Sequence, residues 1–572
     1  MTQIPSPARA LRDRLQAALS AIASEQDPAL HRSVHADFQA DVALALARTL
    51  GKKPRDIATT IVAGLPADDV IAEATVSGPG FINLTLRGEY LARAAASLLT
   101  DDRLGAPPAA RAERVVVDYS SPNVAKEMHV GHIRSTIIGD AIARQLEFLG
   151  HTVLRQNHVG DWGTPFGMLI EHLLDVSHTE AEGGVRELGR FYREARAKFD
   201  ADPVFAERSR LRVVRLQGAD PATLALWRRL VDASSEHFGA VYDRLGVTLR
   251  PEHVAGESTY NDELADVVAE LERAGLAVES DGAMCVFPPG FTGREGTPTP
   301  LIVRKQDGGF GYATTDLAAL RARLGRLQAE RIIYVVGAPQ AQHFAMLFAT
   351  ARLAGWVREG VRLEHAAFGS VLGTDRKMLK TRAGEAVTLM ALLDEARERA
   401  RAAVDQKAPD MDPAVRESIA GAVGMGAIKY ADLSNDRIKD YVFDWDRMLA
   451  FEGNTAPYLM YAHARICSIL RRAVEMEGEV EITVEAPQER RLALELLQFG
   501  AIVDRAAETL QPHRLCGQLY EVATAFTGFY EACPVLKAEG ALRASRLALC
   551  RLTARVLARG LDLLGISAPD QM

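Results

Sequence analysis

The chain has 572 residues, 48% of them hydrophobic and 25% charged, with a formal net charge of −8. That length exceeds what one hydrophobic core usually serves, so three or four domains are expected. The acidic balance excludes a uniformly basic nucleic-acid binder but not a local basic groove, and no apolar run approaches the ~20 residues that span a bilayer. The N-terminus, MTQIPSPARALRDRL, lacks the basic flank, apolar stretch and cleavage site of a secretory signal, so a cytoplasmic enzyme is expected. Residues 1–105 read as a small separate α/β unit. Helical spacing covers 37–47, with apolar positions on one face. Gly78-Pro79-Gly80 then marks a turn into an alternating strand at 81–86. Residues 101–108, with Pro107-Pro108, read as a linker.

A new pattern opens at Glu113. The β-branched run 114–119 predicts a buried strand, and Ser120, Ser121, Pro122 and Asn123 predict a loop. Ile133, Ile137, Ile138, Ala141, Ile142, Leu146 and Leu149 recur at helical spacing up to Gly150, and 152–156 gives a second strand. Strand–loop–helix–strand is the opening of a parallel α/β sheet. Residues 171–245 are charged and helical in pattern, as in an insertion. Sheet-like runs return at 301–303 and 332–337, and from about residue 412 onward nearly everything has helical periodicity. The five cysteines, Cys285, Cys467, Cys516, Cys533 and Cys550, form no C-x-x-C pair. Reduced thiols are expected, with no disulfide framework, no zinc and no metal site.

Two motifs carry chemistry. His129-Val130-Gly131-His132 lies between a predicted strand and a predicted helix. Gly131 lacks a Cβ, so a base can approach the backbone. The helix N-terminus favours phosphates, and two imidazoles can donate to phosphoryl oxygens as charge builds. The competing reading is two surface histidines at a helix start. Far downstream stands Lys377-Met378-Leu379-Lys380-Thr381-Arg382, whose lysines suit the β- and γ-phosphates as pyrophosphate leaves. Here the alternative is a solvated basic loop.

The first motif resembles the HIGH signature of class I aminoacyl-tRNA synthetases, and 377–381 resembles their KMSKS loop, with Leu379 where the first serine belongs. Asp118-Tyr119-Ser120-Ser121-Pro122-Asn123-Val124-Ala125-Lys126 resembles the arginyl family specifically. So do 311–316, 340–343, 456–465 and the N-terminal GPGFINL. The resemblance implies an α/β plus all-α chain. Its parts would be a small N-terminal α/β domain (1–105) touching the tRNA elbow, a Rossmann-like parallel-sheet catalytic domain (106–443) with an insertion at about 171–245, and a helical-bundle anticodon-binding domain from Asp444 to the end. It implies that arginine is activated with ATP, accompanied by Mg²⁺, and transferred to the 3′-terminal adenosine of tRNA(Arg), by a monomer.

Residue by residue, the resemblance puts His129, Gly131, His132, Lys377 and Lys380 on ATP, with Lys126 as a further phosphate-binding charge. It puts Asp118, Tyr312 and Asp316 around the guanidinium, and Ser121, Asn123, His132 and Gln340 among the other arginine contacts. Tyr312 and Asp316 are four apart and share a face on a helical turn, although Asp316 also suits a helix N-cap and Tyr312 suits packing. Arg551, Arg555 and Arg559 form a stripe at spacing four, while Arg465, Arg471 and Arg472 lie on another predicted helix. Both sets read either as phosphate contacts or as solvated faces. Tyr458 and Tyr461 read either as base-stacking or as inter-helix packing. A cysteinyl enzyme would be expected to show a zinc-ligand cysteine set. A small adenylyltransferase would not need the helical C-terminus, and intact His129, His132, Lys380 and Asp316 count against a catalytically dead paralogue.

Overall fold

The structure, a computed structural model, describes residues 4–20, 22, 23, 25–124, 126–176, 188–293, 296–379, 387–473 and 481–572. The N-terminal unit opens with α1 (Pro7–Leu19), whose first turn is capped by the Ser6 hydroxyl. Strands β1 (Leu30–Arg32) and β2 (Phe38–Ala40), helices α2 (Val42–Leu50) and α3 (Pro54–Ala63), strands β3 (Ile71–Ser77) and β4 (Phe81–Leu86), and helix α4 (Gly88–Leu98) complete it. The sheet is antiparallel in the order β1-β2-β4-β3. The helix expected over 37–47 therefore starts only at Val42. Phe38 and Ala40 point into the core on alternate positions of β2, which is paired on both sides, so sheet pairing overrides the local spacing.

The central unit begins with β5 (Arg114–Asp118), α5 (Gly131–Leu149) and β6 (Thr152–Gln156). The helices α6 (Thr164–Asp175), α7 (Leu188–Ala201), α8 (Pro203–Gln217) and α9 (Pro221–Leu245) form the insertion. After α10 (Leu264–Arg273), strands β7 (Ala277–Ser280), β8 (Ala283–Val286) and β9 (Leu301–Arg304) make a separate antiparallel sheet. The run at 301–303 is thus a strand, but not one of the parallel set. Next come α11 (Tyr312–Gly325), β10 (Arg331–Tyr334), α12 (Ala341–Leu353), β11 (Arg362–His365), β12 (Val371–Leu372), α13 (Leu389–Lys407), α14 (Pro413–Leu433) and β13 (Tyr441–Val442).

The main sheet has the order β11-β10-β5-β6, every neighbour parallel. The chain leaves β5 for β6 on one side and returns later to β10 on the other. Ligands in open parallel sheets bind beyond the strand carboxyl ends at such a switch point. The register places Gln156, Asp118, Tyr334 and His365 in one row across those ends.

The C-terminal unit is helical: α15 (Ala456–Arg472), α16 (Pro487–Leu496), α17 (Phe499–Glu508), α18 (His513–Ala532) and α19 (Gly540–Leu563). Its core is continuous with that of the N-terminal unit, for α4 packs on α16 and α19. Arg490 holds Asp37 and the Leu86 carbonyl, and Arg32 pairs with Glu495. Residues 101–108 are not a loose linker. Asp101 accepts from the Arg103 and Gly105 N–H groups, and Leu104 and Ala106 are buried. A Cβ on Gly500 would lie 2.1 Å from the Gly105 carbonyl carbon, so only glycine lets α17 approach that closely. All five cysteines are free thiols, and no described helix is long and apolar enough to cross a membrane.

Candidate active site

The loop after β5 carries the first motif to the switch point. The His129 and His132 rings lie with centroids 4.0 Å apart, tilted by 43°. The His129 backbone N–H donates to His132 Nδ1 at 3.1 Å, and the Gly131 N–H donates to His129 Nδ1 at 3.0 Å. An Nδ1 that accepts carries no proton, so both rings hold theirs on Nε2 and keep that N–H free to donate. Burial, then Lys126, pushes the His129 imidazole below its usual range. Burial, then His129, pushes His132 down to about 4. Both are therefore neutral donors near pH 7. Gly131 serves a purpose the sequence did not suggest. A Cβ there would sit 2.7 Å from His129 Cε1, so the glycine makes room for the imidazole itself.

Lys126 lies with its ammonium 4.5 Å from the Tyr192 ring centroid on α7. Lys377 is exposed at the end of a turn in which Gly373 N–H donates to the Lys377 carbonyl and Lys377 N–H to Asp375 Oδ1. Leu379, the departure from the KMSKS pattern, packs against the core. Lys380, Thr381 and Arg382, like Ala125, lie outside the described residues. Where description resumes, Val130 N–H donates to the Val387 carbonyl and Leu389 N–H to the Met128 carbonyl. The root of the lysine loop is thereby hydrogen-bonded to the histidine motif.

Asp118, at the carboxyl end of β5, is buried and paired with Arg323 at 2.7 Å, while its other oxygen accepts from Ser121 Oγ at 3.0 Å. An internal guanidinium thus occupies the carboxylate expected to face a substrate guanidinium. Arg323 also donates to Gln156 and lies under the Tyr334 ring, tying the three strand ends together. Ser120 and Ser121 take φ of +74° and +47°, a left-handed pair of the kind found at ligand sites. Asn123 is exposed, in a bridge with Gly160. Gln340 is exposed just after β10, immediately before α12. Tyr312 is 76% exposed, one turn before Asp316 on α11. The N-cap of that helix is Gly311, so Asp316 is not the cap.

Asp316 instead accepts from His343 Nε2 at 2.6 Å and lies 3.7 Å from His158 Nε2. Beside it are two carboxylates that no motif announced. Asp161 is buried and accepts from the Ser258 N–H and hydroxyl. Glu257 is pushed up to about 8 by burial, then by Asp161 and Asp316. Three carboxyls, Asp161, Glu257 and Asp316, thus converge here, with the His343 and His158 imidazoles beside Asp316. His158 and Asp161 share the loop after β6, while Glu257, His343 and Arg323 come from three other parts of the chain, and single-chain spacing has no signal for the set.

The helical unit answers the two arginine sets differently. Arg555 donates to the Leu98, Leu99 and Asp101 carbonyls, and Arg559 pairs with Asp562 over the Phe148 ring. Arg555 and Arg559 therefore face the other two units, although Arg559, like Arg551, remains exposed. On α15, Tyr461 and Arg465 are exposed, Arg465 against the Tyr530 ring. Tyr458 is half-buried, donating or accepting at Thr527 and packed on Tyr520. Arg471 and Arg472 are exposed near the end of that helix.

The family model for the catalytic domain of class I tRNA synthetases (R) matches residues 94–445, more than half the chain. The chain belongs to the arginyl-tRNA synthetase family. The family's N-terminal domain model matches 9–86 and the DALR anticodon binding domain model matches 459–572. An arginine–tRNA ligase from Thermobifida fusca is 56% identical, covering 99% of this chain and all of the relative. One from Frankia casuarinae is 52% identical, covering 99% of each. Among solved structures, the arginyl-tRNA synthetase from Plasmodium falciparum superposes with a TM-score of 0.87 at 28% identity, covering both chains completely. The arginyl-tRNA synthetase from Thermus thermophilus gives 0.81 at 30% identity, covering 99% of this chain and 100% of that one. The family models thus match each of the three units, N-terminal, parallel-sheet and helical.

Proposed function

We propose that this chain is an arginine–tRNA ligase, and that the carboxyl cluster of Asp161, Glu257 and Asp316 selects arginine. Guanidinium is planar, always charged and offers five donors, which suits convergent carboxylates. The convergence of Asp161, Glu257 and Asp316 in a chain of the arginyl family is the observation that carries the substrate assignment. Tyr312 covers the guanidinium from the solvent side, Asp118 borders it from the base through Arg323 and Ser121, and Asn123 and Gln340 orient the α-amino and carboxylate groups.

In the first step the arginine carboxylate attacks the α-phosphate of ATP, bound as its Mg²⁺ complex, giving arginyl-adenylate and pyrophosphate. His129 and His132 donate from Nε2 to the phosphoryl oxygens, beside the helix N-terminus at Gly131. Lys377 and Lys380 neutralise the departing pyrophosphate, with Lys126 from the other side. In the second step a terminal ribose hydroxyl of tRNA(Arg) attacks the activated carbonyl and AMP leaves. Catalysis is positioning plus electrostatic stabilisation, without a covalent enzyme intermediate.

We take residues 1–105, 106–443 and 444–572 as the accessory, catalytic and anticodon-binding units. Tyr461, Arg465, Arg471, Arg472, Arg551 and Arg559 are the candidate tRNA contacts, because they are exposed. The decisive assay is ATP-dependent charging of total tRNA with each amino acid in turn. Arginine alone should be attached. Attachment of another amino acid, or of none, overturns the assignment.

A further inference from the structure

Outside the residues assigned above, the C-terminal tail meets α15 at a second group of donor atoms. His463 and Cys467 stand one helical turn apart on α15, and Asp570 arrives 103 residues after Cys467. One ligand atom from each lies within 4.8 Å of the others. Cys467 Sγ is 3.7 Å from His463 Nε2 and 3.6 Å from Asp570 Oδ1. A tetrahedral ion bound at about 2.3 Å to sulfur and about 2.0–2.1 Å to nitrogen and oxygen has edges of about 3.5–3.6 Å between those atoms. The two measured separations are therefore close to the edges of such a tetrahedron.

The imidazole tautomer suits ligation. His463 Nδ1 lies 3.1 Å from the Pro569 carbonyl oxygen. A carbonyl only accepts, so Nδ1 holds the proton and the Nε2 lone pair is left for a ligand. A histidine that binds metal ordinarily donates its other ring N–H in this way. Arg471 holds the tail from a second point, donating to the Asp570 carbonyl at 3.1 Å. His463 is buried while Asp570 is exposed, so the group opens outward and leaves a fourth position for water.

We propose that His463, Cys467 and Asp570 bind one borderline-soft divalent cation, Zn²⁺ in the first instance, which staples the C-terminal tail to α15. Imidazole with thiolate selects zinc-like ions over Mg²⁺ and Ca²⁺. On binding, the Cys467 thiol releases its proton to solvent as the sulfur–metal bond forms, and thiolate plus carboxylate balance the two positive charges. The cysteine spacing predicted no zinc because the set is split between a helix and a distant tail. The same helix carries Tyr461 and Arg465, so the ion would stiffen the proposed tRNA-binding face.

The test uses the full-length chain, stripped by chelation and titrated with Co²⁺ as a spectroscopic stand-in. One equivalent should produce a thiolate-to-cobalt charge-transfer band that Zn²⁺ abolishes by displacement. Zn²⁺ should also raise the Tm, since it binds the folded chain, while Mg²⁺ at the same concentration should not. Cys467→Ser should remove the band. Asp570→Asn, on the exposed tail, should weaken Co²⁺ binding at least tenfold with an unchanged far-ultraviolet circular dichroism spectrum. Absence of a sulfur–cobalt band in the wild-type chain overturns the proposal. So does the same band in Cys467→Ser, which would place ligation on another cysteine.

Discussion

Glu257 ordinarily would ionise near 4.5, but burial, Asp161 and Asp316 hold its carboxyl up to about 8. Between those values the free folded chain keeps a proton that the unfolded chain has lost, so this group lowers stability as pH rises through the window. A guanidinium in the pocket favours the ionised carboxylate. Arginine binding should therefore release up to one proton near pH 7 and tighten as pH rises towards 8. Calorimetric titration in buffers of different ionisation heat reads that proton, and Glu257→Gln should abolish its release. Release of the same proton by the variant would overturn Glu257 as its source. Asp316→Asn removes a charged partner of the guanidinium, a loss of roughly 1.5–3 kcal/mol, or about 10–100-fold. The KM for arginine should rise by that factor and the KM for ATP should stay close to wild type. Equal rises would show that Asp316 acts through His343 on the whole site. The two residues differ in legibility. Asp316 lies four after Tyr312 inside a recognisable stretch, whereas Glu257 gains its character from burial and from Asp161 and Asp316, which reach it from other parts of the chain.

The helix α5 starts at the histidine motif and is anchored at several points along its length. Gly131→Ala would push the His129 ring aside and break its bond from the residue 131 N–H. Adenylate formation, read by ATP–pyrophosphate exchange, should fall by up to about 10². Alanine is the better helix former, so the Tm should hold or rise; a fall in Tm alongside activity would make the defect structural. Further along, Arg134 and Asp432 form a buried pair at 3.2 Å that joins α5 to α14, with Arg134 also donating to the Lys439 carbonyl. Asp432→Ala leaves that guanidinium uncompensated, and such losses cost about 3–5 kcal/mol. The midpoint of urea unfolding should drop accordingly, and an unchanged midpoint would show that the Tyr441 and Phe368 rings, whose centroids lie 5.2 and 5.7 Å from the Arg134 guanidinium carbon, suffice. Elements with one strong local pattern were legible: the run at 114–119, the helix up to Gly150 and the strand after GPG all stand where periodicity put them. Phe38–Ala40 was not, because its apolar spacing suits either structure and only its two sheet neighbours decide. The run at 301–303 was read as sheet, but its antiparallel partners are set by β8, beyond the reach of local pattern.

Across the whole molecule, the N-terminal unit looked separable in the sequence and is not so in the fold. Tyr90, Leu91, Ala94, Ala95 and Leu98 of α4 are buried within a core shared with the C-terminal helices. Deleting residues 1–105 should therefore expose apolar surface on α16 and α19, lower the Tm and promote association, in addition to weakening tRNA binding. A truncated chain that stays monomeric with the full-length Tm would restore the view of a detachable accessory. The composition and the two halves of the pattern indicated α/β followed by all-α, but contacts between the first hundred residues and the last hundred leave no trace in local periodicity. One of those contacts sets a timetable. Arg555 supplies the hydrogen bonds for carbonyls at the end of α4, 457 residues before it in the case of Leu98. At about 5–20 residues per second, a ribosome takes roughly 20–90 s to make the intervening chain. For that interval the first unit emerges with its last helix uncapped and its apolar side bare, so the nascent chain passes through a period of dependence on chaperones that ends only when its final helix arrives.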